Sequence, residues 1–275
     1  MSIRSSVTVS LVPEAAGGPF VYWGDLAAST AQAAELGFDA IEVFPTDAQA
    51  GELGQLRDLL EKHQLSLAAM GTGAGWLRHR LTLVHPDPAA RRRAIDFVRS
   101  IIDVAGPLGA PAIIGSMQGR HSEEVPVDRA FASLTEALDE LGSHAAAYNV
   151  PLLYEPLNRY ETNLCNTLAA GVDLLKRGSL SNVRLLADLF HMNIEEADMP
   201  ASIRGAKSFI GHLHFVDTNR RAAGAGHLDF PPIVSALEAI GFDGFASAEA
   251  LPLPTSGEAA AMTLRSYRRF FLHQT

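Results

Sequence analysis

The sequence predicts a single (β/α)8 barrel, the TIM-barrel architecture, over residues 1–275. Three observations lead there. Short β-like runs alternate with longer helix-like ones from end to end, which is the pattern of a parallel sheet covered by helices. Eight such rounds occur, the number a closed barrel of about 250 residues requires, and no Pro/Ser/Gly-rich linker divides the chain. The first strand leads into "VSLVPEAAGG", which lacks the G-x-G-x-x-G turn of an open doubly wound sheet.

Taken in order, the strands are expected at 7–12 ("VTVSLV"), 40–44 ("AIEVF"), 65–70 ("LSLAAM"), 111–115 ("PAIIG"), 151–154 ("PLLY"), 183–187 ("VRLLA"), 209–215 ("FIGHLHF") and 244–248 ("GFASA"). Helices are expected at 26–36, 52–63, 88–105, 128–148, 167–177, 231–240 and 257–271. The segments "AELGFDAIEVF" and "EAIGFDGFASAE" each place a Gly at a helix end, then a short turn, then a strand. Two connections read as long loops after strand C-termini: "GTGAGWLRHRLTLVHPDP", with Trp76, Arg78, His79 and Arg80, and "GSMQGRHSEEVP", with Gln118, Arg120 and His121. Loops at that end of a barrel build active sites.

Composition excludes several classes. No apolar run is long enough to span a bilayer, and Met1 to Arg4 lead straight into a β-like run without a basic and then apolar leader, so a soluble cytoplasmic protein without membrane partners is expected. The net charge of −9 argues against nucleic acid as a partner. Cys165 is the sole cysteine, so no internal disulfide forms, and it reads as a buried residue more than a nucleophile.

The chemistry lies at strand ends. "LLYE" ends in Glu155, "VRLLAD" in Asp188, "FIGHLHF" carries His214 near its end, and "FASAE" ends in Glu249. The separations, 188 − 155 = 33, 214 − 188 = 26 and 249 − 214 = 35, each fit one βα unit. Four side chains of metal-ligand type would therefore converge above the barrel. Three carboxylates so close repel one another unless a cation neutralises them. The donor set of three oxygens and one nitrogen, without thiolate, suits one divalent metal: Mn²⁺ first, with Mg²⁺, Co²⁺ or Zn²⁺ as alternatives. The bland reading is that each residue caps a helix or ends in solvent; His212, alternating with His214, reads as a satisfied core histidine.

At "EPLNRYETN", "DLFHMNIEE", "GHLHFVDTNRRAAGAGHLDF" and the terminal "AE", the chain resembles the xylose-isomerase-like TIM-barrel superfamily. Within it the chain is most similar to the ketose 3-epimerase branch, the D-tagatose and D-psicose (allulose) 3-epimerase group. The resemblance covers residues 151 to 250. It implies that Glu155, Asp188, His214 and Glu249 hold the metal and that Glu155 and Glu249 form the acid/base pair. It further implies that Glu161, His191 and Arg220 contact the substrate near its carbonyl.

The implied reaction removes a proton beside a carbonyl through an enediolate, giving epimerisation or isomerisation of a ketose or keto-sugar derivative. Trp76 is expected to cover a sugar face, while Arg78 and Arg80 either grip an anionic or bulky distal group or pair with acids such as Glu123 and Glu124. A homo-oligomer, dimer or tetramer, is expected. The alternatives on the same metal site are a lyase or dehydratase acting on keto-sugars or C-glycosides, of the inosose dehydratase kind, and hydroxypyruvate isomerase. An endonuclease-IV-like phosphodiesterase is the remote one, since Gly71 and Ser116 stand at strand ends where that chemistry needs His.

Overall fold

Parallel pairing carries the chain once round a closed barrel. The computed structural model describes residues 3–272, so the outermost positions of the leader and domain expectations, 1–2 and 273–275, lie outside the described residues. The strands are β1 (Arg4–Ser10), β2 (Tyr22–Trp23), β3 (Ala40–Phe44), β4 (Ser66–Gly71), β5 (Ala112–Ile114), β6 (Leu152–Tyr154), β7 (Val183–Asp188), β8 (Ile210–His214) and β9 (Phe245–Ala248). β2 is a two-residue addition beside β1; the other eight form the barrel, closed where Arg4 to Val7 of β1 pair with Phe245 to Ala248 of β9.

Among the described residues ten α-helices surround it: α1 (Leu26–Leu36), α2 (Leu56–His63), α3 (Ala74–His79), α4 (Pro88–Ala105), α5 (Val127–Ala146), α6 (Leu168–Arg177), α7 (Leu189–Glu195), α8 (Met199–Ala206), α9 (Phe230–Ala239) and α10 (Ser256–Tyr267). Side-chain caps start several of them. Asp25 accepts from Ala28 N–H, Asp87 from Ala89 N–H and Thr167 from Ala170 N–H, satisfying amides that have no partner within the helix. Gly37 (φ 93°) and Gly241 (φ 74°) are left-handed at the two matching G-F-D turns, a conformation that glycine adopts without a Cβ penalty. Among the described residues no helix is long and apolar enough to cross a membrane.

Three short helices depart from the expected pattern. α3 lies within the segment expected as a long loop, and α7 and α8 fill the stretch between Asp188 and β8 where no helix was expected. Each spans about two turns or fewer, too short for a 3.6-residue apolar repeat to show.

The barrel interior divides in two. Phe44, Ala69, Ile113, Leu153 and Leu186, from β3 to β7, form an apolar cluster of their own, separate from the core between barrel and helices. On β1, β3, β8 and β9 the buried residues include Ser6, Thr8, Ser10, Glu42, His212, His214 and Ser247. Barrel interiors are ordinarily filled by branched apolar residues. The polar half needs internal partners, because burying a polar group without one is costly. A register shift skips Gly211 between Leu186↔His212 and Leu185↔Ile210, and a Cβ at Gly211 would lie 2.7 Å from Cβ of Arg184, so the bulge requires glycine.

Candidate active site

Four ligand-type atoms meet at the C-terminal end of the barrel. One from each of Glu155, Asp188, His214 and Glu249 lies within 4.8 Å of all the others, and all four residues are buried. His214 is the hub: its Nδ1 stands 3.0 Å from Asp188 Oδ2, 3.4 Å from Glu249 Oε2 and 3.5 Å from Glu155 Oε1. Glu155 Oε1 is buried and accepts no hydrogen bond, an unmet demand within the cluster.

Asp188 performs two tasks with two oxygens. Oδ1 caps α7, accepting from the N–H groups of Phe190 (2.7 Å) and His191 (3.2 Å), while Oδ2 faces His214 and accepts from Arg220 Nη1 at 2.8 Å. Cap and cluster member are therefore not alternatives for this residue. Burial alone would raise its pKa, but the charges of Arg220 and the neighbouring histidines hold the carboxyl well below the usual range. Burial opposes charge on His214 as well, yet Glu42 and Asp188 raise its pKa well above the ordinary value.

The remaining expected residues form the wall of a cavity of about 540 Å³. Asn158 backbone N–H donates to His191 Nδ1 at 3.3 Å, and Asn158 Nδ2 lies 2.7 Å from the same nitrogen. Nδ1 is thus an acceptor, which leaves Nε2 as the donor, 3.7 Å from Glu155 Oε1. Glu161 sits at the rim, accepting from Asn158 Nδ2 at 3.0 Å. Arg220 bridges Asp188 and Glu249 and lies over the Phe190 ring at 4.7 Å. Trp76, on α3, lines the opposite wall and carries the Arg80 guanidinium over its ring at 4.9 Å.

Arg78 takes partners other than those expected. It bonds Glu14 Oε1 (3.1 Å), Thr46 O (3.4 Å) and Asp47 Oδ2 (3.5 Å), tying α3 to the segments after β1 and β3, and none of these contacts is with Glu123 or Glu124. Cys165 is buried, and burial pushes its thiol up to about 11, which keeps it protonated.

Several supporting residues have roles that the sequence reading does not assign. Asp217, 1% exposed, accepts from the N–H groups of Thr218, Gly224 and Leu228, and so shapes the loop that holds Arg220 in its left-handed conformation (φ 60°). Gln118 donates to Glu155 O at 2.9 Å and accepts from Tyr154 O–H at 2.7 Å. Glu195 accepts from Arg159 N–H (2.6 Å) and Nε (2.9 Å), and Glu196 accepts from Leu168 N–H at the start of α6. Glu42 bonds both His212 and His214. Its signal was available: a Glu in the middle of "AIEVF" poses the same question as one ending "LLYE".

The sequence profile of the xylose isomerase-like TIM barrel family matches residues 30–267. The chain belongs to that family. Among similar proteins, an L-ribulose 3-epimerase of Mesorhizobium japonicum is 32% identical over 224 residues, 79% of this chain and 73% of that one. A D-psicose 3-epimerase of Ruminiclostridium cellulolyticum is 31% identical over 221 residues, 77% of this chain and 73% of its own. The crystal structure of a D-allulose 3-epimerase from Methylomonas sp. superposes with a TM-score of 0.80 at 26% identity, covering 98% of this chain and 100% of that one.

Proposed function

We propose that this protein is a divalent-metal-dependent sugar epimerase acting on a ketose or keto-sugar derivative. The observation that carries the reading is the convergence of Glu155, Asp188, His214 and Glu249 on one point, with Glu155 and Glu249 lining the cavity. The donor set fits a metal. Ligands about 2.1 Å from an ion stand roughly 3 Å apart when adjacent and about 4.2 Å apart when opposite, and the contacts of 3.0, 3.4 and 3.5 Å around His214 Nδ1 fall in that span. Oxygen-rich ligation with a single imidazole favours Mn²⁺. The ion, when bound, supplies a Lewis acid that stabilises negative charge developing on the substrate oxygens.

The residues do the rest. Glu155 and Glu249 rise from β6 and β9, with β7 and β8 between them, and so approach a bound carbon from different sides. One carboxylate takes the proton from the carbon beside the carbonyl, leaving the electron pair in the enediolate, and the other returns a proton to the opposite face. His191 presents Nε2–H and Arg220 its guanidinium to the oxygen that gains charge. Trp76 and Phe20 offer an apolar wall on the far side, and Glu161 a hydrogen-bond acceptor at the rim. The 3-epimerase names of the relatives support carbon 3 as the reacting centre.

The test is incubation of metal-loaded protein with C4 to C6 ketoses in D2O, followed by NMR. Deuterium should appear at carbon 3 of both substrate and epimer. Glu249→Gln should abolish turnover with the fold intact, because a neutral amide cannot accept the proton. No exchange with any ketose or keto-glycoside by protein that holds its metal would overturn the assignment.

A further inference from the structure

The polar half of the barrel interior contains a second arrangement, directly behind His214. Glu42 is 0% exposed and lies on β3, separated from β8 by β9 and β1, so its carboxylate reaches across the interior. Oε2 lies 2.6 Å from His212 Nε2 and Oε1 lies 3.0 Å from His214 Nε2. From this geometry we infer that Glu42 is a positioning residue that fixes the tautomer and direction of His214 toward the metal site. The inference rests on the metal assignment above.

The chemistry follows from what each group can donate. An ionised carboxylate only accepts, so both Nε2 atoms that face it carry protons. His214 then has Nδ1 left for the cluster, and that atom is the one facing Asp188, Glu249 and Glu155. A metal ligand must offer a lone pair, and an imidazole whose other nitrogen donates to a carboxylate is held in that form, turned the right way, and made more basic. His212 completes the clamp by occupying the second oxygen of Glu42, which fixes the rotation of the carboxylate.

A second ion among Glu42, His212 and His214 does not explain the contacts. Nitrogen and oxygen ligands about 2.0–2.2 Å from an ion at right angles are roughly 3 Å apart, so the 2.6 Å contact of His212 is a hydrogen bond. A core ion pair without bearing on the metal is the remaining alternative. It differs in outcome: loss of such a pair lowers stability and leaves the affinity of folded protein for metal alone.

The discriminating change is Glu42→Gln. The amide has the same shape but accepts from only one imidazole and donates to the other, so the histidine facing its NH2 group must present a lone pair there. If that is His214, its proton moves to Nδ1 and blocks ligation. Mn²⁺ titration of chelator-stripped, folded protein by calorimetry should show affinity reduced about 10- to 100-fold in Glu42→Gln. Leu138→Ala, a core change on α5 remote from the site, serves as a stability control and should bind as wild type does. Glu42→Leu, which leaves neither imidazole an acceptor, covers the case in which the amide turns its NH2 group to His212; affinity of both variants within about twofold of that control overturns the clamp. If Glu42→Gln does not fold, ¹⁵N NMR of wild-type protein loaded with diamagnetic Mg²⁺ decides the point: His214 protonated at Nε2 is expected, and protonation at Nδ1 overturns the inference. Wild-type protein that takes up neither ion overturns the metal assignment itself, a failure distinct from loss of the clamp.

Discussion

Asp188 shows how much one side chain settles here. Because Oδ1 caps α7 and Oδ2 faces the cluster, Asp188→Asn keeps an acceptor for the cap and loses the charge beside His214. The helix should persist while Mn²⁺ uptake falls by tenfold or more, read by metal analysis after dialysis. Charge also sets a pH signature for metal-free protein. The Asp188 pKa is depressed on folding, so its contribution is present above the unfolded value of about 3.9 and lost as pH falls further. The His214 pKa is raised, so its contribution is present below about 6.5 and lost as pH rises through the higher folded value. The melting temperature of chelator-treated protein should therefore peak between about pH 4 and 6.5; a midpoint that climbs steadily from pH 6.5 to 9 would contradict this. The four ligand types were legible in the sequence because each terminates a strand. Asp217 was not, since its role depends on a loop whose path only the fold supplies.

Elements carry the site through clasps between neighbouring connections. Arg159, on the connection after β6, is joined to Glu195 at the end of α7, whose side chain is only 7% exposed. The same connection holds Asn158 against His191, so Glu195→Ala should loosen that wall of the cavity without touching the Glu155, Asp188, His214 and Glu249 cluster. An increase of several-fold in KM with unchanged metal content is expected, and lost metal would instead place Glu195 nearer the ion than its contacts suggest. Arg78 acts likewise between α3 and the segment after β1. Arg78→Gln should impair neutral and anionic substrates equally, since the guanidinium is engaged by Glu14 and Asp47; a loss confined to anionic substrates would restore the substrate-gripping role. Long helices such as α4, and the Gly37 and Gly241 turns, were legible from apolar spacing and glycine placement. α3 was hidden because it has no side-chain cap and only six residues.

At the scale of the whole molecule, the closed count of eight strands could be read from the rhythm of the chain, but the seam could not. Which strands meet is decided by barrel geometry, and here Val7 lies opposite Ala248. That seam has a consequence for how the protein comes into being. Its two sides are about as distant in sequence as the chain permits, and Thr8 Oγ1 also bonds Ala248 O across it. Contacts of such separation are made late and slowly, because the loop entropy must be paid first. During synthesis Glu155 and Asp188 leave the ribosome well before His214 and Glu249, so for several seconds at about 5–20 residues per second two of the carboxylates exist without their counterpart nitrogen. The first half of the barrel waits with an open edge at β1 until β9 arrives. Assembly of the Glu155, Asp188, His214 and Glu249 cluster thus waits on closure of the barrel, and shortening the chain before residue 245 removes the strand that closes it together with Glu249.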